Sequence, residues 1–310
     1  MTTLGELSFD VATALSLGAR ERQEDTVVAD FPLGAPMGFA VLSDGMGGHA
    51  CGDVASGIVA TELFSELKLL SGDPEQMERA IGAVLQDAVT AANSCIRLYE
   101  DQAPNTEGMG ATLVAPVIFG ARLYWVSVGD SPLFLLRGGR LYRLNEDHSY
   151  AAQIDLMQAR GLMDRDVAQN HPDRSALVSV LAGRKIAKVD CRAEPMTLKD
   201  GDIVLAASDG VHTLTDDQIV SALVNNRDKS GRQIGEALVA AVLAEACPDQ
   251  DNLSLCIIKA TRRGAGQNGP PARQSPQSSP SETGQVVQID RRADHRTVRT
   301  IVSLTRKVGK

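Results

Sequence analysis

Short apolar runs that halt at Asp, Asn or Gly recur through the first 260 positions of this chain. Residues 37–43 (MGFAVLS), 112–119 (TLVAPVIF), 123–128 (LYWVSV), 133–136, 203–207 and 253–259 are apolar or alternating, which predicts β-strands. Arg137-Gly138-Gly139-Arg140 between LFLL and LYRL predicts a hairpin, and such meander connections favour antiparallel sheet over a dinucleotide-binding arrangement. Two stretches have helical spacing instead. Residues 74–100 bring Met77, Ile81, Leu85, Ala88, Ala92 and Ile96 to one face, and residues 230–247 do so with Ile234, Leu238 and Val242. Thr215 and Gln218 form a capping box before Ile219, and Gly48 to Asp53 leads into a helix running to about Leu69. The polar stretch 145–176 predicts one helix, residues 150–160, stopped by Gly161; it is expected to act as a flap beside a site. Met109, Met157 and Met163 read as packing residues.

Composition narrows the class. With 310 residues and 43% hydrophobic content, the chain can bury one sizeable core or two. No stretch reaches the roughly 18 apolar residues a membrane span needs. The first thirty residues carry Glu6, Asp10, Glu21, Glu24 and Asp25 without the apolar core of a signal peptide, so a cytoplasmic protein with no membrane partner is expected. Cys51, Cys95, Cys191, Cys247 and Cys256 are scattered and never spaced as CxxC; buried thiols are expected rather than a disulfide framework or zinc cluster. Charge divides the chain: residues 1–260 carry a balance of −15 and residues 261–310 one of +7. So acidic a body repels phosphate backbones, which argues against nucleic acid as a partner. The expected organisation is a domain over 1–262, a Gly/Pro/Ser/Gln-rich linker over 263–285 and a basic tail over 286–310. The tail is open to three readings: solvated, docking on an acidic partner, or folding back on the acidic body.

The candidate chemistry lies where the apolar runs stop. Asp44 in SDGMGGH, Asp130 in VGDS, Asp209 in SDG and Asp251 in DQDN each follow or precede a strand, and Asp25 follows Glu24 ahead of Val27 and Val28. One Asp-Gly pair is a commonplace turn. Joint occurrence is what matters: Gly45, Gly47 and Gly48 clear space after Asp44, and acids sharing one pocket would raise each other's pKa unless divalent cations neutralised them.

In order along the chain, GARERQEDT, SDGMGGH, GMGATL, SVGDSPLFLLRGGRLYRL, HPDRSALVSVLAG, AASDGV and DQDNLSL resemble the motifs of the metal-dependent protein phosphatases, the type-2C serine/threonine phosphatases in their bacterial form. The resemblance covers about residues 8–260. It implies an α+β fold, a four-layer α-β-β-α sandwich of two antiparallel sheets flanked by helices, with two divalent cations, manganese or magnesium, at one end. Carried over by motif, Asp44 would bridge both cations and the Gly45 carbonyl would ligate one, with Asp209 and Asp251 completing the second. Glu24 and Asp25 would hold the surrounding waters, Asp130 would take a third, weaker cation, and Arg20 would fork onto the substrate phosphate. The implied reaction is attack of a metal-bridging hydroxide on phosphoserine or phosphothreonine, with catalysis resting on Arg20, Asp44, Asp209 and Asp251. Implied partners are phosphorylated proteins and a serine/threonine kinase counterpart, and a monomer is expected. Two positions depart from the pattern: Met46 stands where many relatives have a histidine proton donor, and Pro132 where they often have Arg. His49 and His148 are the substitute donors, although a turn histidine more often has a structural role. Two rival readings keep the carboxylates without the reaction: a catalytically silent scaffold that binds a phosphoprotein, and a module in which cations merely clamp loops.

Overall fold

The apolar runs become strands, and their alternation divides them between two faces. In the computed structural model, which describes residues 7–47, 51–103, 106–174, 176–262 and 301–302, the strands are β1 (Leu7–Ser16), β2 (Asp25–Asp30), β3 (Met37–Met46), β4 (Gly110–Ala111), β5 (Leu113–Phe119), β6 (Arg122–Val128), β7 (Leu133–Arg137), β8 (Arg140–Arg143), β9 (Asp190–Thr197), β10 (Ile203–Ala207), β11 (Leu253–Arg262) and β12 (Ile301–Val302). The helices are α1 (Gly52–Leu70), α2 (Pro74–Arg79), α3 (Ile81–Gln102), α4 (Tyr150–Ala159), α5 (Arg165–Gln169), α6 (Asp216–Asn225) and α7 (Gly231–Ala244). One sheet runs β12-β1-β11-β10-β7-β8 and the other β2-β3-β5-β6-β9, with β4 against β3. The pairings are antiparallel.

Period-2 patterning builds three apolar layers from these two sheets. On β3, Phe39 and Val41 join the layer under α1 and α3, while Ala40 and Leu42 enter the layer between the sheets. On β10, Ile203 and Leu205 face α6 and α7, while Val204 and Ala206 turn to the inter-sheet layer. The outcome is the α-β-β-α sandwich that the motifs imply. Because β3 and β10 are covered on both faces, they read as continuous apolar runs rather than clean alternation.

Several elements differ from the sequence expectation. The helix expected over 74–100 is two helices: the chain breaks at Ala80 (φ −109, ψ 13), whose N–H reaches Met77 O. Strands β1, β2 and β9 were not expected. β1 is mixed in polarity, yet pairs with β11 over all ten residues; β9 is largely exposed and contains Pro195. Met109 is buried, but Met157 is exposed. Cys256 is buried and Cys247 exposed, so the expectation of buried thiols fails for the latter. The linker and most of the basic tail lie outside the described residues; within the tail, Ile301 and Val302 pair with Ala14 and Thr13 of β1. Among the described residues no helix is long and apolar enough to cross a membrane.

Register delivers the acids to one end. β2 and β3 pair Asp25 directly with Asp44, and β10 and β11 pair Ala207 with Leu255, which brings Asp44 near the end of β3, Asp209 just past β10 and Asp251 just before β11 to the same side of the sandwich.

Candidate metal centre

Each acid is fixed by a backbone feature that its neighbours dictate. Asp44 lies two residues before the end of β3, where its N–H donates to Thr112 Oγ1 at 3.0 Å and its carbonyl accepts from Thr112 N at 2.8 Å. Asp209 opens a 3-10 turn after the fully buried β10. Asp251 precedes β11, with Oδ1 accepting from Asn252 N at 2.7 Å and Oδ2 from Arg20 Nη2 at 2.7 Å. Asp25 crosses the seam between the sheets, its Oδ2 accepting from Ser208 Oγ at 2.7 Å. Asp130 follows Gly129, whose positive φ of 103° seats it against Thr112.

The electrostatics match a crowded set of like charges. Burial is the first cause that raises Asp44, followed by Asp25, Asp209, Asp130 and Asp251. Burial pushes Asp25 up to about 7 against the opposing hydroxyls of Ser208 and Ser254. Asp130 rises to about 7 through burial and then the charges of Asp209 and Asp147. Burial and Asp251 raise Asp209, which Asp44 partly offsets by hydrogen bonding. Glu24 is raised by burial and then by Asp53 and Asp251, with Arg20 opposing. Arg20 reaches into this group through its bond to Asp251, and Arg143 opposes the rise at Asp130.

A further observation concerns the donor set itself. A Cβ on Gly52 would stand 2.8 Å from Glu24 Oε1 and 2.9 Å from the Gly45 carbonyl oxygen. A missing side chain therefore leaves a carboxylate and a carbonyl facing one cradle. All the donors are oxygens, the chemistry that hard cations such as magnesium and manganese take. The residues thus fit a divalent cation in kind and charge. As the side chains stand, however, no group of three His, Cys, Asp or Glu among the described residues is drawn tightly enough to hold a metal ion. Asp251 is turned to Arg20 and Asp25 to Ser208.

Sequence reasoning overlooked the residues that hold the acids. Asn252 Nδ2 donates to Leu17 O and Arg22 O at 2.9 Å each, while its Oδ1 accepts from Glu24 N at 2.7 Å. One buried amide thereby bolts the Arg20–Glu24 loop to β11. Its signal was present in DQDN, directly after Asp251. Gly52 was hidden by the more conspicuous Gly45 to Gly48 run, and Ser208 by the Asp-Gly pair that follows it. Of the substitute proton donors, His49 lies outside the described residues, and His148 is wholly enclosed with Nδ1 accepting from Gly129 N at 3.2 Å. Met46, at the exposed end of β3, carries no titratable group.

Comparison with known proteins gives this geometry a context. A family model described as protein phosphatase 2C matches residues 21–241. The chain is 35% identical over 209 residues to the serine/threonine protein phosphatase PstP of Mycobacterium tuberculosis, covering 66% of this chain but only 36% of PstP. It therefore spans about a third of that relative's length. It is 29% identical over 224 residues to the serine/threonine phosphatase stp of Listeria monocytogenes, covering 71% of this chain and 84% of that protein. Among solved structures, the catalytic domain of PstP in complex with two manganese ions superposes with a TM-score of 0.62 at 28% identity, covering 83% of this chain and 99% of that one.

Proposed function

Because the chain belongs to the protein phosphatase 2C family, we propose that it is a metal-dependent phosphatase that hydrolyses phosphoserine and phosphothreonine on proteins. The observation that carries this reading is the meeting of carboxylates from both sheets with Arg20 at one mouth of the sandwich. Asp44, Gly45 O, Asp209 and Asp251 would hold two divalent cations, manganese or magnesium, with Glu24 and Asp25 alongside and a third, weaker ion at Asp130. When bound, the cations supply Lewis acidity that brings the pKa of water toward neutrality and offsets the negative charge of the acids.

The chain's own residues do the rest. Six carboxylates, Asp251 among them, would repel a phosphate dianion, so substrate binding depends on their neutralisation. Arg20 is more than half exposed and tied to Asp251 through one guanidinium nitrogen; the remaining edge is free to fork onto two phosphate oxygens. Asp251 orients that fork. Asn252 fixes the distance between the Arg20 loop and β11, and so places the phosphate relative to the acids. Neither Met46 nor the enclosed His148 can protonate the departing oxygen.

The natural counterpart is a serine/threonine kinase, and the setting is the cytoplasm, with neither nucleic acid nor membrane as partner and the chain acting as a monomer. The test is release of phosphate from a phosphothreonine peptide by the full chain with added manganese. Chelator should abolish turnover, and Asp209→Asn should lower it about 100-fold or more, since ligand-set changes act at least at that scale. Undiminished turnover in Asp209→Asn would remove the role assigned to this acid.

A further inference from the structure

His148 is enclosed, with no exposed surface, yet it belongs to neither the carboxylate cluster nor an apolar core. Its contacts are directed at one residue. Nδ1 accepts from Gly129 N at 3.2 Å, and the His148 N–H donates back to Gly129 O at 3.1 Å. Gly129 immediately precedes Asp130. On its other side, the His148 carbonyl accepts from Val178 N at 2.8 Å, the first of the bonds that close the base of the 150–178 segment, followed by the Ser149–Leu177 bridge and Tyr150 N to Ala176 O. One residue therefore joins the Asp130 turn to both feet of that segment.

Beyond Asp130 the contacts continue. Arg143 Nη2 donates to Asp130 O at 2.6 Å, and its Nη1 to Asp147 Oδ2 at 2.9 Å. Ser131 Oγ lies 2.7 Å from Thr112 Oγ1, the same hydroxyl that accepts from Asp44 N. Hydrogen bonds from Val178 to His148 and from His148 to Gly129, the backbone from Gly129 to Ser131, and hydrogen bonds from Ser131 to Thr112 and from Thr112 to the Asp44 backbone thus form one connected path. The imidazole is unusual in what it leaves unmade: Nε2 has no hydrogen-bond partner among the described residues, with Glu146 Oε2 3.8 Å away. The hydrogen bond that the side chain makes among the described residues is on its Nδ1 side. Burial also holds the ring below the ordinary imidazole pKa, which keeps Nδ1 an acceptor near neutrality.

We propose that His148 is a positioning residue that couples the 150–178 segment to the Asp130 turn, so that displacement of the segment is passed to Asp130 and on to Asp44. The proposal deepens the phosphatase reading and rests on it for its kinetic consequence, but its structural content stands on this connected path alone. Nothing reacts at His148, and it does not touch the substrate.

The experiment compares His148→Ala, His148→Asn and His148→Gln in the full chain. Asn carries an acceptor oxygen near the place of Nδ1, whereas Gln places its polar end near Nε2. In His148→Ala the amides of Gly129 and Val178 should both exchange faster, by about tenfold or more. The kcat for p-nitrophenyl phosphate should fall about 10- to 100-fold with KM nearly unchanged, the pattern of a displaced rather than lost group. Asn should restore both readouts and Gln neither. Unaltered exchange at Gly129, exchange that rises at Gly129 but not at Val178, or rescue by Gln equal to that by Asn would each overturn the proposal. If the Ala variant fails to fold, the contrast between Asn and Gln decides alone. An unmodified chain without manganese-dependent turnover would overturn the phosphatase reading instead, and amide exchange would still judge His148.

Discussion

At Gly52 the absence of a side chain keeps Glu24 Oε1 and the Gly45 carbonyl open to a common space. Gly52→Ala places a methyl there while giving α1 a better helix former at its first residue. We expect manganese affinity, followed by titration calorimetry, to fall about tenfold or more, as for changes that displace ligands, with the melting temperature lowered because the methyl meets the Gly45 carbonyl oxygen at 2.9 Å. A variant that binds manganese like the parent would show that the cradle is not used. The acids themselves were legible in the sequence, since Asp44 and Asp209 follow apolar runs and Asp251 stands just ahead of one. What holds them was not. Asn252, Ser208 and Gly52 act through contacts with residues far away in the chain, and no local spacing encodes a bond from Asn252 to Leu17 or from Ser208 to Asp25.

α1, α3, α6 and α7 lie on the sheets through apolar residues, and α2, α5, α6 and α7 are capped at their N-termini by side chains. Ser230 and Gln233 form a reciprocal box at the start of α7, and Asp10 of β1 accepts from Gly231 N at 2.7 Å. Ser230→Ala should cost about 1 kcal/mol, seen as a melting shift of about 2–4 °C with turnover unaltered; a larger loss would mean that the β1–α7 contact fails with the cap. Buried strands such as β10 announced themselves because both of their faces are apolar. β1 and β9 did not, because polar residues such as Asp10, Thr13, Arg192 and Glu194 interrupt them, and their pairing is set by β11 and β6 rather than by their own pattern. The break at Ala80 was equally silent. Alanine favours helix, and it is the surrounding packing that turns α2 into α3 there.

For the molecule as a whole, the cluster makes stability depend on pH and cation together. A carboxylate whose pKa is raised by folding adds stability only while protonated, so its contribution is complete below the unfolded value near 4 and gone above the folded one, about 7 for Asp25 and Asp130. Glu78, held low by Arg122, works in the opposite sense and gains its contribution as pH rises past its unfolded value. Calorimetry of chelated protein from pH 4 to 8, repeated with manganese, isolates the cluster. The manganese-induced rise in melting temperature should be greater at pH 7.5 than at pH 5, the underlying stabilisation reaching about 2.7 kcal/mol per site at a hundredfold excess over Kd. An equal rise at both values would mean that the cations bind elsewhere. A chain ending at Arg262 keeps both sheets apart from β12, and its peptide turnover should stay within about twofold of the full chain if the body folds alone; collapse would assign the tail a part in the core. The seam between the sheets carries one more implication. A chain nicked between α4 and α5 would leave Arg20, Glu24, Asp25, Asp44 and Asp130 on one fragment and Asp209 and Asp251 on the other. Neither piece owns a complete donor set, so turnover regained on mixing would report the reunion of the fragments and make the nicked chain a complementation sensor of its own assembly.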